Sequence, residues 1–495
     1  MKKFKVLALL AMMVTMIGCS AETTEQTNNN QTNTNNTDST YNQYSLLSTD
    51  DPIEVTLWHY YAGSAQENLY AIVNDFNATV GAQQGVKVTM VSKPNIASLE
   101  VELNEAAQGV VYADAMPSMF LAYADKILEL QGLGVISDMN EFFSDEDKEF
   151  LIEDFLESGI INGEQVMLPV VKSTEVIYIN DTLWQEFATA NGYTDEDLRT
   201  WEGLLEVSKA YYTYTDEQTP NVANDGKAFF GMDSLSNFIS ISNMQLGVDL
   251  YDAENGKSNI DEEVFRAFFD YYVEAYSMGH LDNIASYRTD DIRSGDLVSF
   301  VGSSAGFVYM PDWIEVDGEA MDIEWKSLPY PYYEEGSPYV VSQGAGIAVS
   351  KISDQQQQAC ALFLNFFWED NIGFAIDSAY VPVTTEFLYS TEAEKKVIFE
   401  EYELKDNEIG VYELVLDQIS NNELYQSMPF DGSYTLRTEI TASFEQIAQN
   451  IRELVREKIA SGVSRETVFE EIDLDLYFEM TMTNLYEVLS GKGVQ

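Results

Sequence analysis

Gly302-Ser303-Ser304-Ala305-Gly306 matches Gly-x-Ser-x-Gly, the turn that exposes a nucleophilic serine between a strand and a helix. Acyl transfer there needs a histidine base that follows the serine in the chain. The two histidines, His59 and His280, both precede Ser303, so that triad cannot be assembled. The five residues read better as a small-residue turn that lets a loop approach a helix start closely. Zinc hydrolysis fails similarly, because two isolated histidines give no His-x-x-x-His pair and two cysteines give no cluster. No Asp-x-Asx-x-Asx-Gly calcium loop occurs. Paired carboxylates for glycoside cleavage cannot be picked out among 83 acids. The expectation is a protein that is not an enzyme and holds neither metal nor cofactor.

Binding chemistry is better represented. Trp58-His59-Tyr60-Tyr61 stands at the carboxyl end of an apolar run and just before a helical pattern. Open α/β sheets bind ligands outside such strand ends. Aromatic faces pack on the apolar face of a sugar or polyol there, while tyrosine hydroxyls and an imidazole hydrogen-bond its oxygens.

The elements that must hold these residues alternate. Ile53–Trp58 reads as a strand, 66–76 as a helix, 86–91 as a strand, 99–108 as a helix and 118–123 as a strand. That rhythm predicts parallel sheets covered by helices, an α/β class. Two β-rich runs, 166–171 and 176–179, lie together without a helix between them, as a chain passing from one lobe to another would. A similar passage opens at 297–301 and recurs around 339–349, and the C-terminal third is helix-rich. The expected division is a first lobe of 49–170 and 297–340 and a second of 171–296 and 341–495.

Bulk composition agrees with a folded, water-exposed body. The chain of 495 residues is 45% hydrophobic, enough for a large core in two or three domains. With 83 Asp and Glu against 26 Lys and Arg the formal net charge is −57, which repels nucleic acid and anionic lipid headgroups. Cys360 sits in an apolar helical stretch and reads as a small core residue, so no structural disulfide is expected.

The N-terminus reads as an address. Lys2, Lys3 and Lys5 precede an apolar run, Val6 to Ile17, that is too short for a permanent membrane span, and Gly18-Cys19 follows. Residues 1–19 are expected to be a cleaved lipoprotein signal peptide with Cys19 lipidated. Residues 20–48 are rich in Asn and Thr and are expected to form a disordered tether, about 25–30 Å in root-mean-square span over its first 25 or so residues.

Taken in order, Ile53–His59, Asp75-Phe76-Asn77, Met116-Pro117-Ser118, Tyr123-Ala124-Asp125, Leu168-Pro169, Ser173-Thr174-Glu175, Gln343–Ser350 and Ala379–Val383 resemble the extracellular solute-binding proteins of carbohydrate ABC transporters, family 1. Trp58-His59, Ser173-Thr174, Tyr380-Val381-Pro382 and Asp431–Arg437 are similar to the glycerol-3-phosphate-binding subgroup. The resemblance implies a type II periplasmic-binding-protein-like clamshell, each lobe a mainly parallel sheet flanked by helices. It implies a monomer that captures a sugar or oligosaccharide, or alternatively a polyol phosphate, and delivers it to ABC permease subunits at the outer face of the cytoplasmic membrane, with no nucleic-acid partner. Carried over, it suggests Tyr60, Glu67, Ser173, Ser304, Gly346, Tyr380 and Arg437 as ligand contacts. His59, Tyr123, Trp201 and Ser303 join them, and Lys172 joins Arg437 as a possible anion site. Lys172 and Glu175 depart from the uncharged residues expected around Ser173-Thr174.

Overall fold

A computed structural model describes residues 44–252, 254–316, 318–369, 371–426 and 429–494. The expected signal peptide, Cys19 and the tether as far as residue 43 lie outside the described residues. The last residues of the expected tether, 44–48, are docked rather than free. Leu47 is buried in the core, and the Asn365 amide donates to the Tyr44 hydroxyl at 2.8 Å.

The principal elements begin with β1 (Ile53–His59), α1 (Gly63–Ala78), β2 (Val86–Ser92), α2 (Ile96–Ala107), β3 (Met119–Ala122), α3 (Ala124–Gly132) and β4 (Leu168–Pro169). A second series holds β5 (Glu175–Asn180), α4 (Trp201–Asp216), β6 (Phe230–Met232), α5 (Leu235–Gln245), α6 (Glu262–Ser277), β7 (Ser299–Ser303), β8 (Trp325–Leu328) and β9 (Tyr339–Val341). The chain closes with β10 (Gly346–Val349), α7 (Asp354–Glu369), α8 (Asn371–Asp377), α9 (Asp406–Asn421), β11 (Glu423–Tyr425), α10 (Ser433–Ala460) and α11 (Leu474–Gly491).

Local sequence explains these pieces. Helix α1 buries Leu69, Ile72, Val73 and Phe76, a stripe at spacings of three and four that fits one face of a 3.6-residue helix. The Asn95 side chain accepts from the Ser98 N–H at 2.8 Å to start α2, and Thr200 accepts from the Gly203 N–H at 3.1 Å to start α4. All six residues of β5 are buried because apolar clusters cover both of its faces. Ile177 and Ile179 pack in the cluster that contains Trp184 and Trp201, whereas Val176 and Tyr178 pack in the one that contains Val415 of α9.

Two sheets result. The first has the order β2-β1-β3-β10-β4, and the second β8-β5-β7-β6. In the first, β1 is parallel to β2 and β3, while β10 runs antiparallel to β3 and β4. In the second, only β7 and β6 are parallel, and β5 is antiparallel to β7 and β8. The two-lobed α/β class holds, with mixed sheets, because strands that arrive from the other lobe enter against the local direction.

The lobe boundaries need correction. Strands β7 and β8, expected in the first lobe, pair with β5 and so belong to the second. Strand β10, expected in the second, pairs with β3, and α7 and α8 pack on β1 and α1 of the first lobe. The physical reason is that an apolar run buried on both faces fits either sheet, and nothing local in its residues selects the partner. The chain crosses between β4 and β5, between β9 and β10, and between α8 and β11.

Candidate functional site

A cleft of about 490 Å³ is lined by residues of both lobes. The first lobe lines it with Tyr60 after β1, Tyr123 and Asp125 after β3, and Tyr380 after α8. The second lobe supplies Glu175 at the start of β5, Asp233 after β6, Asn237 from α5, Ser303 from the end of β7, and Tyr434 and Arg437 from the first turns of α10. Ser173 and Gln343, on two of the crossings, form part of the floor and exchange backbone hydrogen bonds of 2.9 Å in both directions. Most of these residues follow or precede a strand end, so backbone ladders fix where their side chains begin.

Chemistry differs between the walls. On the first lobe, burial lifts the phenols of Tyr60, Tyr123 and Tyr380 above the ordinary tyrosine value, so they stay neutral. On the second, the Asn237 amide donates to Glu175 Oε1 at 2.8 Å and to Gln343 Oε1 at 3.1 Å. Burial pushes the Glu175 carboxyl up to about 8, with the Asn237 hydrogen bond opposing and the Asp233 charge adding. The low-polarity surroundings of the floor lift Asp233 to about 6, against the pull of Arg288. Gly302 makes this arrangement possible: a Cβ there would stand 2.4 Å from Asp233 Oδ2.

Six of the sequence-expected residues meet in the cleft: Tyr60, Tyr123, Ser173, Ser303, Tyr380 and Arg437. The other six do not line it. His59 lies beneath it, fully buried, with neither ring nitrogen partnered among the described residues, and burial holds its imidazole below the usual range. Glu67 is exposed on α1. Lys172 is buried behind the floor, where its ammonium donates to Gln426 Oε1 at 3.0 Å and Ser158 Oγ at 3.2 Å, and burial lowers it to about 8. Trp201 is a core residue whose indole N–H donates to Gln245 Oε1 at 3.2 Å. Ser304 staples a crossing, donating its N–H to Thr174 O at 2.7 Å and accepting the Thr174 N–H at 3.2 Å. Gly346 is a packing glycine, since a Cβ would fall 2.1 Å from Met167 Cγ.

The hydrolase motif loses its last support. Ser303 Oγ donates to Ser173 Oγ at 3.3 Å, and the imidazole of His280 packs against Tyr212 in the second lobe, where burial and the charges of Arg465 and Lys209 lower it to about 3. Among the described residues no group of three His, Cys, Asp or Glu is placed to hold a metal ion.

Asp233, Asn237 and Gln343 are site residues that sequence reasoning passed over. A signal existed for the first two: Asp233-Ser234 stands between a short apolar run and a helical pattern, the place of a helix cap, and Ser234 Oγ does accept the Asn237 N–H at 3.2 Å.

Two α/β lobes, three crossings and a tyrosine-rich cleft between them define a two-lobed ligand-binding protein. The family model for bacterial extracellular solute-binding proteins matches residues 71–401, and the chain belongs to that family. No curated protein matches by sequence. Among solved structures, the cyclic alpha-maltosyl-1,6-maltose binding protein of Arthrobacter globiformis shares the fold at TM-score 0.64 and 18% identity, over 89% of this chain and 100% of its own. UgpB of Mycobacterium tuberculosis, in complex with glycerophosphocholine, matches at 0.64 and 16% over the same shares. An ABC substrate-binding protein of Listeria monocytogenes, in complex with cycloalternan, matches at 0.62 and 14%, over 90% of this chain and 100% of its own.

Proposed function

We propose that this protein is the substrate-binding subunit of an ABC importer and captures a sugar or oligosaccharide between its lobes. The observation that carries the reading is the cleft lining: tyrosines from both lobes, with serine and amide side chains between them. Such a surface stacks on sugar rings and hydrogen-bonds their hydroxyls. Cleft volume agrees, since about 490 Å³ falls inside the roughly 300–1,000 Å³ typical of small-molecule sites.

A polyol phosphate is the less favoured ligand. Arg437 is the one Lys or Arg among the described lining residues, and its guanidinium donates to Asp125 Oδ2 at 3.2 Å. Lys172, the other cation expected at an anion site, is out of the cleft. Ligand binding would favour the closed arrangement of the lobes, which a permease then recognises, with no covalent step. Lipidation at Cys19 would hold the protein, a monomer, to the outer face of the cytoplasmic membrane.

Thermal unfolding of the protein from residue 44 onward, in the presence of neutral saccharides or glycerol phosphate, tests the ligand class. A saccharide at about a hundredfold over its Kd adds roughly 2.7 kcal/mol to folded stability, and the phosphate adds nothing measurable. In the Tyr60→Ala/Tyr380→Ala double variant, saccharide affinity falls by about tenfold or more, as lost stacking requires. A shift by the phosphate alone would overturn the carbohydrate reading.

A further inference from the structure

The cleft floor carries a charge that a neutral sugar does not answer. Among the described lining residues the acids are Asp125, Glu175 and Asp233, and the one base, Arg437, is engaged by Asp125. Behind Asp233 lies Arg288, but that guanidinium is shared: it stands 2.5 Å from Asp291 Oδ2 and 3.8 Å from Asp233 Oδ1. One buried cation thus serves two carboxylates, and Glu175 has only the neutral amide of Asn237. Both amide protons of Asn237 are already given, one to Glu175 and one to Gln343. Ser342, 5% exposed and also in the lining, holds its hydroxyl without a partner among the described residues. The floor therefore holds the carboxylate of Asp233, a buried carboxyl at Glu175 that keeps its proton near neutral pH until a cation arrives, and an unsatisfied hydroxyl at Ser342.

We propose that the cleft selects a saccharide bearing a free amino group, and that Glu175 and Asp233 receive its ammonium. The proposal rests on the carbohydrate reading above and narrows it. An ammonium supplies the missing positive charge and up to three donors, enough for both carboxylates and one hydroxyl acceptor. An anionic substituent at the same place would meet the Asp233 carboxylate and could gain nothing from ionising Glu175, which is unfavourable. Neutral and N-acetylated sugars bring hydroxyl and amide donors to the floor but leave its charge unanswered.

The test is isothermal titration of the protein at neutral pH with the β-linked disaccharides of glucose, N-acetylglucosamine and glucosamine, and with maltose as a linkage control. The glucosamine disaccharide is expected to bind about tenfold or more tightly than the matched neutral ones. That preference should shrink towards unity in Glu175→Gln and in Asp233→Asn, and with added salt in the wild-type protein. Equal or tighter binding of the glucose or N-acetylglucosamine disaccharide to the wild-type protein overturns the amine proposal and leaves the carbohydrate reading standing. Failure of every saccharide, with the protein folded by circular dichroism, overturns both.

Discussion

Glu175 shows what it costs to bury a carboxyl in the floor. Its carboxyl is lifted by burial to about 8 from an ordinary value of 4.5. Between those two values the folded chain keeps a proton that the unfolded chain has released. Stability from this group is therefore complete below about pH 4.5 and lost as pH rises towards 8, at about 1.4 kcal/mol per pH unit at most. Glu175→Gln, which keeps the shape and removes the titration, should flatten the melting temperature of the ligand-free protein over that range and raise it at the alkaline end. An unchanged pH profile would mean that the carboxylate is better solvated than its burial implies. Residues of this kind were only partly legible in the sequence. Tyr60 was recoverable from its place after a strand end, and Tyr123 and Tyr380 from the family pattern that contains them. His59 and Trp201 were misleading because a long flat side chain looks the same whether it lines a cleft or fills a core. Asn237 was marked only indirectly, by the helix cap at Ser234, and Gln343 gave no sign of its place in the site, since an amide is informative only once its two partners are known.

Elements were more legible than their partners. The strand and helix rhythm of 53–123 matches the structure to within a few residues at each end, because a strand end or an amphipathic stripe is written locally. Which sheet receives 299–303 or 346–349 is a long-range matter, decided by pairing across more than a hundred residues of chain. Helix α4 illustrates the same limit. Trp201, its first residue, was expected at the cleft, yet it is ringed by Phe238, Tyr271, Tyr330 and Tyr333 at centroid distances of 4.9–6.5 Å. Trp201→Phe should lower unfolding free energy by about 1–3 kcal/mol through lost packing and the lost bond to Gln245, with saccharide affinity unchanged. A drop in affinity with full thermal stability would return Trp201 to the cleft.

At the scale of the whole molecule, the Asp125–Arg437 pair joins the start of α3 in the first lobe to α10 in the second. It spans the cleft and is partly exposed, so its expected worth is about 0–1 kcal/mol. Asp125→Asn should accordingly speed ligand release by up to about fivefold in stopped-flow fluorescence, with the association rate little changed. Raised salt should produce part of the same effect in the wild-type protein. An unaltered release rate would show that the pair does not bias the closed form. The lobes differ in one further respect. Tyr44 and Leu47 fasten the beginning of the described chain to the first lobe, through Asn365 of α7 and the apolar core. Mechanically that ballasts the first lobe: closure carries the second lobe, with Glu175 and Asp233, over a half that already holds the start of the described chain.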